Sequence, residues 1–255
     1  MIAIISDLHA NIEAITAAFA EIKRRGVKRV VCLGDVVGYG ACPREALKLV
    51  MQKCEWCLFG NHEEALLNGG EDFNDKARAA IEWTRAELSS RDHPRDENFA
   101  IWDYLDALQS RTEHRDENAL YVHGSPYDPV REYVMPRDSR NPQKMDRIFA
   151  KQDRQLCFVG HSHVPGVYTT DYRFLRPDEV GGSFRASEYG EKVLVNVGSV
   201  GQPRDGDPRL SFVIYDEKEK VEFVRVNYDA ESAANRIRKV PALPEYLANR
   251  LLVGR

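Results

Sequence analysis

The chain has 255 residues, enough for one or two domains of ordinary size with a substantial buried core. Its composition is 43% hydrophobic and 30% charged, and no apolar run approaches the ~18 residues that a transmembrane helix needs. A net charge of −4 argues against a nucleic-acid groove as the main surface. The first residues lack the basic segment of a secretory signal. We therefore expect a cytoplasmic protein with no membrane span and no stable nucleic-acid partner.

The first sixty residues predict alternating strands and helices, because short apolar runs alternate with apolar residues at helical spacing. Asn11 is a residue type that caps helix N-termini, and Pro43 is suited to a first helical turn. The predicted elements are a strand at 2–5, a helix at 12–22, a strand at 29–33, a helix at 43–50 and a strand at 56–59. A strand–helix–strand order of this kind indicates a parallel sheet.

Residues 64–118 have a different character and predict helices around 77–83 and 99–108. A charged linker containing Pro94 separates these two segments. We interpret residues 64–118 as a helical insertion or cap within a single domain that spans residues 1–255. The segment carries no obvious chemistry of its own.

Strand patterns return in the second half of the chain. They are single runs at 119–122, 156–159 and 192–195, followed by an antiparallel hairpin at 211–215 and 221–226. Residues 230–255 predict helix, with a break at Pro241 and Pro244. Many strands with interspersed helices indicate an α/β or α+β fold. The five cysteines include a Cys54-Glu-Trp-Cys57 pair, but we expect all five to be reduced thiols packed as small apolar groups.

Polar clusters follow five of the predicted strands, and they hold five of the seven histidines in the chain. The residues concerned are Asp7, His9, Asp35, Asn61, His62, His123, His161 and His163. Ligands of open α/β sheets bind at the carboxyl ends of strands, where these clusters lie. Two histidines at i and i+2, such as His161 and His163, can face one ion.

Carboxylate and neutral imidazole are ligands that suit zinc, iron and manganese. The candidate ligands are Asp7, His9, Asp35, Asn61, His123, His161 and His163. They are too many for one tetrahedral ion and the right number for two ions that share a bridging carboxylate. Asp35 is the natural bridge, because it is the only carboxylate of its cluster.

The order of these clusters resembles the calcineurin-like metallophosphoesterase superfamily. The motifs are Asp7-x-His9, Gly34-Asp35-x-x-Gly38, Gly60-Asn61-His62-Glu63, His123-Gly124 and Gly160-His161-x-His163. Three longer segments are similar to its small bacterial and archaeal branch, which includes phosphodiesterases and enzymes similar to diadenosine polyphosphate hydrolases. They are Asp7-Leu-His-Ala-Asn11, Gly34-Asp-Val-Val-Gly-Tyr-Gly40 and Asn196-Val-Gly-Ser-Val-Gly-Gln-Pro203.

The resemblance implies a four-layer αββα sandwich of two mixed β-sheets flanked by helices, with a dinuclear site at one sheet edge. It implies that one metal takes Asp7, His9, Asp35 and His163, and that the other takes Asp35, Asn61, His123 and His161. It also implies that His62 binds no metal and that its side chain points at the scissile phosphate. The two divalent ions could be Mn, Fe, Zn or Co, since a mixed nitrogen and oxygen set accepts each of them.

We expect a metal-dependent phosphoric ester hydrolase that cleaves phosphodiester or phosphoanhydride bonds of small nucleotide-like substrates. The expected mechanism is direct attack of a metal-bridging hydroxide, with Asp35 and His62 as catalytic residues. His62 would donate a proton to the leaving oxygen or stabilise the charge that forms there. The alternatives are a phosphomonoesterase of the same fold and a non-catalytic scaffold of that fold. Gly38 and Tyr39 stand where protein phosphatases of the superfamily have Asp and Arg, which disfavours a protein phosphatase.

Three residues are candidates for substrate binding. Arg204 follows the Gly-rich turn at 198–201 and could clamp a phosphate through its guanidinium. Asn11 belongs to the first motif segment, and Tyr39 offers a ring on which a base could stack.

Overall fold

The computed structural model describes residues 1–255 and contains twelve strands in two sheets and eight α-helices. The strands are β1 (Ile2–Ile5), β2 (Arg29–Cys32), β3 (Trp56–Cys57), β4 (Glu113–Arg115), β5 (Ala119–Val122), β6 (Leu156–Val159), β7 (Gly166–Thr169), β8 (Phe174–Leu175), β9 (Ser183–Arg185), β10 (Val193–Asn196), β11 (Leu210–Tyr215) and β12 (Lys220–Val226). The helices are α1 (Ile12–Arg24), α2 (Pro43–Lys53), α3 (Asn61–Asn68), α4 (Asp75–Leu88), α5 (Arg95–Leu108), α6 (Pro142–Lys151), α7 (Ala230–Arg238) and α8 (Glu245–Leu251). None of the helices is long and apolar enough to cross a membrane.

Both sheets are mixed. The first has the order β3-β2-β1-β11-β12-β9, with β1, β2 and β3 parallel and β11 antiparallel to β1. The second has the order β4-β5-β6-β10-β7-β8, with β5, β6 and β10 parallel. Two mixed sheets flanked by helices confirm the predicted fold class. The predicted hairpin is also confirmed, since β11 and β12 pair antiparallel from Leu210↔Val226 to Tyr215↔Val221.

Alternation along the strands divides the core into layers. Ile2 and Ile4 of β1 join Phe158 and Val195 of the second sheet in a core that lies between the sheets. Ala3 and Ile5, on the opposite face of β1, pack with the helices that cover the first sheet. On the outer face of the second sheet, α6 contributes Met145, Ile148 and Phe149 to a smaller cluster. The layers run helix, sheet, sheet, helix.

Helix α1 begins where the sequence indicates, because the Asn11 carboxamide oxygen accepts the main-chain N–H of Ala14 at 3.1 Å. Glu13 in its first turn and Lys23 and Arg24 in its last turn suit the helix dipole. The start of α1 is thereby fixed next to the end of β1, where the first polar cluster lies.

The segment that the sequence assigned to two helices also contains other structure. Helix α3 already begins at Asn61, and α4 and α5 are longer than predicted. Residues 113–115 form β4, an edge strand that pairs antiparallel with β5, so the wholly helical interpretation of this stretch is wrong at its end. Its pattern of Glu, His and Arg lacks the apolar run by which strands were recognised.

The two C-terminal helices pack on α4. Ala80 of α4 lies in one buried cluster with Ile237 of α7 and with Leu247 and Leu251 of α8. Helices α7 and α8 flank the break predicted at Pro241 and Pro244, which confirms that prediction. The packing places α8 at the end of the molecule where the polar clusters meet.

All five cysteines are free thiols. Cys32 and Cys57 lie opposite each other on β2 and β3, and burial raises the pKa of the Cys32 thiol well above its usual range. The thiols are therefore protonated, apolar packing groups, as the sequence predicts. A cytoplasmic location stays a prediction.

Candidate metal centre

The ends of five strands bring the predicted metal-ligating residues to one place. Asp7 and His9 follow β1, Asp35 follows β2, and Asn61 opens α3 just beyond β3. The other predicted ligands follow β5 and β6 of the second sheet and are His123, His161 and His163. All seven side chains are buried. The centre therefore lies where the carboxyl ends of strands from both sheets meet.

The first group of these residues is Asp7, His9 and His163. Asp7 Oδ1 lies 3.2 Å from His163 Nε2 and 4.0 Å from His9 Nε2. The two imidazole Nε2 atoms are 3.2 Å apart. One carboxylate oxygen and two ring nitrogens thus converge on a small volume, which is the arrangement of a metal site.

The second group is Asp35, Asn61, His123 and His161. His123 Nε2 lies 3.1 Å from Asn61 Oδ1, 3.1 Å from His161 Nδ1 and 3.4 Å from Asp35 Oδ2. The same Asp35 oxygen is 3.8 Å from His9 Nε2 of the first group. Asp35 therefore stands between the two groups, in the position of a shared ligand.

Backbone carbonyls fix the tautomers of the four histidines. A carbonyl only accepts hydrogen bonds, so the ring nitrogen that faces it must carry the proton. The four contacts are His9 Nδ1 to Val37 O at 3.1 Å, His163 Nδ1 to Gln202 O at 2.6 Å, His123 Nδ1 to Leu33 O at 3.0 Å and His161 Nε2 to Arg131 O at 3.1 Å. In the neutral rings, each inward nitrogen then has a lone pair aimed into the centre.

This donor set fits divalent cations. Burial lowers the pKa of both His9 and His163, so both rings are neutral and their lone pairs face each other at 3.2 Å. Two acceptors cannot hydrogen bond to each other, and a cation between them removes the conflict. Burial would lower the pKa of His123, but Asp35 outweighs it and raises the pKa to about 9. The second group therefore also favours a positive charge at its centre.

The backbone at the candidate ligands is unusual. Five of them have positive φ angles of 46° to 63°, a region that residues other than glycine seldom adopt; they are Asp7, His9, Asp35, His161 and His163. Such conformations persist only where surrounding structure enforces them, and they cluster at functional sites. Here the bonds from Asp7 N–H to Gly34 O and from His9 N–H to Asp35 O, at 3.1 and 3.0 Å, lock the first two loops together.

Sequence reasoning assigned no role to Glu63, which the structure places beneath the centre. Its fully buried carboxylate accepts the main-chain N–H groups of Asp35, Val36, Val37 and Gly60 at 2.8 to 3.2 Å. Burial and the neighbouring Asp35 raise the pKa of Glu63 to about 7, against the effect of these hydrogen bonds. Glu63 thereby holds the loop that carries Asp35. The only sequence signal was its place in the Gly60-Asn61-His62-Glu63 motif.

Replacing Glu63 by glutamine tests whether its carboxylate stabilises the folded protein by holding the loop that carries Asp35. The amide keeps the size of the side chain but offers one acceptor oxygen and turns an NH₂ group toward backbone donors. We expect Glu63→Gln to lower the free energy of unfolding by about 1–3 kcal/mol, measured by urea denaturation. Glu82→Gln, at an exposed position on α4, is the matched control. Equal stabilities of the two variants would show that the Glu63 carboxylate does not hold the loop.

His62 lies beside both groups, enclosed by aromatic rings. Its ring centroid is 4.6 Å from that of His9, 4.5 Å from that of Tyr39 and 5.0 Å from that of Phe73. Its Nδ1 has no hydrogen-bond partner, and a Cβ at Gly38 would lie only 2.1 Å from this atom. A glycine at position 38 is therefore required by the packing of His62. Burial lowers the pKa of His62 to about 4.

Distance alone does not separate His62 from the ligands. It lies within 4.8 Å of potential ligand atoms of His9 and Asp35. Its main-chain N–H donates to Asp35 Oδ1 at 2.9 Å, which ties the start of α3 to the shared carboxylate. An anion bound at the centre would favour the protonated ring, since an opposite charge stabilises the imidazolium.

The three predicted substrate-binding residues differ in their surroundings. Tyr39 contacts His9 and His62, and the Arg204 guanidinium lies 5.6 Å from its ring centroid. Arg204 donates to the Gln202 side-chain oxygen at 2.8 Å. Asn11 is buried, and its amide donates to Gly201 O at 2.8 Å while its oxygen caps α1. A contact between Asn11 and substrate stays a prediction.

Two open clefts adjoin the centre. One, of about 240 Å³, is lined by Asn61, His161, Phe73 and the α3–α4 loop. The other, of about 500 Å³, is lined by Arg204 and by residues of α4 and α8. Tyr39 and Tyr133 border both clefts, and the Tyr133 ring stacks on His161 with centroids 3.6 Å apart. Tyr133 had no sequence signal, because it lies in a loop outside the motifs.

The fold and the clustered carboxylates and imidazoles together define an α/β sandwich with a candidate metal centre, and comparison with known proteins agrees with the fold. Residues 1–220 match the family model of the calcineurin-like phosphoesterase superfamily domain. The chain is 39% identical over 260 residues to an uncharacterized protein of Methanocaldococcus jannaschii, covering 100% of this chain and 98% of that one. The protein belongs to the calcineurin-like phosphoesterase superfamily.

Solved structures show the same fold. A crystal structure of a metallophosphoesterase from Sphaerobacter thermophilus is 34% identical with a TM-score of 0.82, covering 100% of this chain and 98% of that one. A crystal structure of a hypothetical protein from Pyrococcus horikoshii is 21% identical with a TM-score of 0.73, covering 100% and 99%. The likeness extends over the whole chain in both cases.

Proposed function

We propose that the protein is a dinuclear metal-dependent phosphoesterase that hydrolyses phosphodiester or phosphoanhydride bonds of nucleotide-like substrates. The observation that carries this proposal is the pair of buried ligand groups joined by Asp35. Membership of a phosphoesterase superfamily supports the reaction class. A non-catalytic scaffold that binds no metal would not need the inward lone pairs or the left-handed backbone at the ligands.

We assign one ion to Asp7, His9, Asp35 and His163, and the other to Asp35, Asn61, His123 and His161. Bound there, two divalent ions supply positive charge for phosphate oxygens and lower the pKa of water toward neutrality. Nitrogen and oxygen ligands of this kind accept Mn, Fe, Zn or Co. The backbone carbonyls behind the histidines hold the rings in the tautomer that binds metal.

The residues around the ions orient the substrate and move a proton. His62 donates a proton to the leaving oxygen, since its ring lies beside the centre, 4.6 Å from that of His9, and a bound anion favours its protonated form. Tyr39 and Phe73 cover its ring and limit its contact with water. Glu63 keeps the Asp35 loop in place, and Arg204 reaches toward the phosphate from beside Tyr39.

We further propose that residues 1–255 act as one domain in which the largely helical segment 64–118 serves as a cap on the site. The support is that Phe73 and Asn74, which precede α4, line the cleft beside Asn61 and His161. The cap then limits which small phosphorylated molecules reach the metals.

A panel of phosphate esters tests the proposed reaction. Protein stripped of metal and reloaded with Mn²⁺ is assayed with bis-p-nitrophenyl phosphate, p-nitrophenyl phosphate, ATP and diadenosine tetraphosphate. We expect Mn²⁺-dependent turnover of the diester and the anhydrides to exceed that of the monoester. Preference for p-nitrophenyl phosphate would favour a phosphomonoesterase. No turnover of any ester with metal bound would contradict the proposal.

A further inference from the structure

The larger cleft beside the metal centre is lined by three cations from separate parts of the chain. Lys76 comes from α4, Arg250 from α8, and Arg204 from the loop after β10. Tyr39 and Tyr133 line the same cleft and also border the metal centre, so the two spaces adjoin. A ligand that binds at the metals can therefore extend toward these cations.

None of the three cations has an Asp or Glu partner within 4.0 Å. Other basic residues nearby are paired: Arg78 with Asp75 at 3.5 Å, and Arg131 with Glu64 at 2.7 Å. Asp75 is the one carboxylate that lines the cleft, but its side chain is fully exposed and pairs with Arg78, so none of the three cations has a direct acidic side-chain partner. Clustered cations without a direct carboxylate partner are suited to binding an anion.

Contacts with Gln202, Tyr246 and Arg255 hold the three cations in place. Arg204 donates to the Gln202 side-chain oxygen, and the Lys76 Nζ lies 3.8 Å from the Tyr246 ring centroid. The Arg250 guanidinium is 5.3 Å from the same centroid, and its Nε donates to the main-chain oxygen of Arg255. The two terminal nitrogens of Arg250 make no hydrogen bond to protein. They are available to a ligand.

The charges also repel one another. Burial and the nearby charge of Arg204 lower the pKa of Arg250 to about 10. An anion between the two guanidinium groups would offset this repulsion. Lys76 also lies near Arg250, because α4 and α8 pack through Ala80, Leu247 and Leu251 and both cations contact the Tyr246 ring.

We propose that Lys76, Arg204 and Arg250 form a second anion subsite, which binds a phosphate group of the substrate other than the one at the metals. This inference rests on the proposed phosphoesterase function. It names the substrate class as molecules with two or more phosphate groups, such as nucleoside polyphosphates or dinucleoside polyphosphates. A simple phosphodiester has no group for this subsite.

The test compares two substrates in variants of the subsite. The measured quantity is the ratio of kcat/KM for diadenosine tetraphosphate to kcat/KM for bis-p-nitrophenyl phosphate. We expect Arg250→Gln and Lys76→Gln each to lower this ratio by about tenfold or more, since each removes a charge-assisted contact to phosphate. Arg24→Gln, which removes an exposed arginine at the end of α1, is the matched control and should keep the ratio. Lys76 is exposed, so its variant is informative even if Arg250→Gln is poorly folded.

Calorimetric binding separates this inference from the proposed reaction. The probes are adenosine β,γ-methylene triphosphate, which is not cleaved between its last two phosphates, and AMP. We expect tighter binding of the triphosphate analogue to the wild type, and loss of that preference in Arg250→Gln. Preserved preference in both variants would overturn the subsite. A preference that depends on Arg250 in a protein that hydrolyses no ester would uphold the subsite and contradict the phosphoesterase proposal.

Discussion

Asp35→Asn is expected to abolish turnover and metal loading together. Asp35 Oδ2 lies 3.4 Å from His123 Nε2 and 3.8 Å from His9 Nε2, so one carboxylate oxygen faces both ligand groups. Asparagine keeps the shape but removes the negative charge that two cations share. Turnover should fall to background, and bound metal should fall from two ions per chain to one or none, measured by elemental analysis of the purified protein.

The control for this variant is Asp103→Asn, an exposed carboxylate on α5 that makes no ion pair. It should keep both the metal content and the rate of the wild type. Circular dichroism checks that Asp35→Asn is folded, since the His62 main-chain N–H can still donate to the remaining Oδ1. Two bound ions with wild-type turnover in Asp35→Asn would show that this carboxylate is not the bridge.

His62→Ala is expected to retain both ions and slow the chemistry. We assign His62 to the leaving oxygen, and general acid catalysis is typically worth about 10²–10⁴-fold in rate. The loss should be smaller with p-nitrophenolate, a good leaving group that needs little protonation, than with a nucleoside or nucleotide leaving group. kcat for both kinds of substrate, together with metal content, measures the effect.

His93→Ala provides the matched control, because His93 is a surface histidine whose Nε2 lies 3.5 Å from Glu87. His93→Ala should keep the kcat and the metal content of the wild type. If His62→Ala loses one ion, His62 is a ligand, as its distance from His9 and Asp35 would allow. If its rate loss is the same for good and poor leaving groups, His62 does not act as the acid.

The predicted elements that the structure confirms are those with strong local patterns. The runs at 2–5, 119–122 and 156–159 coincide with β1, β5 and β6, because a short apolar stretch between turns leaves few alternatives. The third strand was predicted too long. It ends at Cys57; one further bond to β2 runs from the Leu58 N–H to the Cys32 carbonyl, and the Phe59 N–H then donates to the carbonyl of Arg111.

Elements that depend on distant partners were missed. Strands β8 and β9 have only two and three residues, and β9 is held by pairing with β12. Helix α6 was also overlooked, although Asn141 caps it and Pro142 opens it. Its three buried apolar residues, Met145, Ile148 and Phe149, are outnumbered by polar and charged side chains, so the run gives a weak helical pattern.

The candidate metal centre could be predicted because its residues lie in short segments just after strands. Four of the five clusters also contain a glycine, which is typical of a turn, so the strand pattern and the ligand chemistry pointed to the same positions. The supporting residues could not be predicted in this way. Glu63 acts through backbone groups of another loop, and Arg250 comes from the last helix, which only tertiary packing brings to the cleft.

Titration of metal-stripped protein with Mn²⁺, following bound metal and bis-p-nitrophenyl phosphate turnover in the same samples, tests the dinuclear assignment most directly. We expect activity to rise with loading and to reach its maximum at two ions per chain. Full activity at one ion per chain, or activity in the stripped protein, would contradict the assignment of two ions that share Asp35.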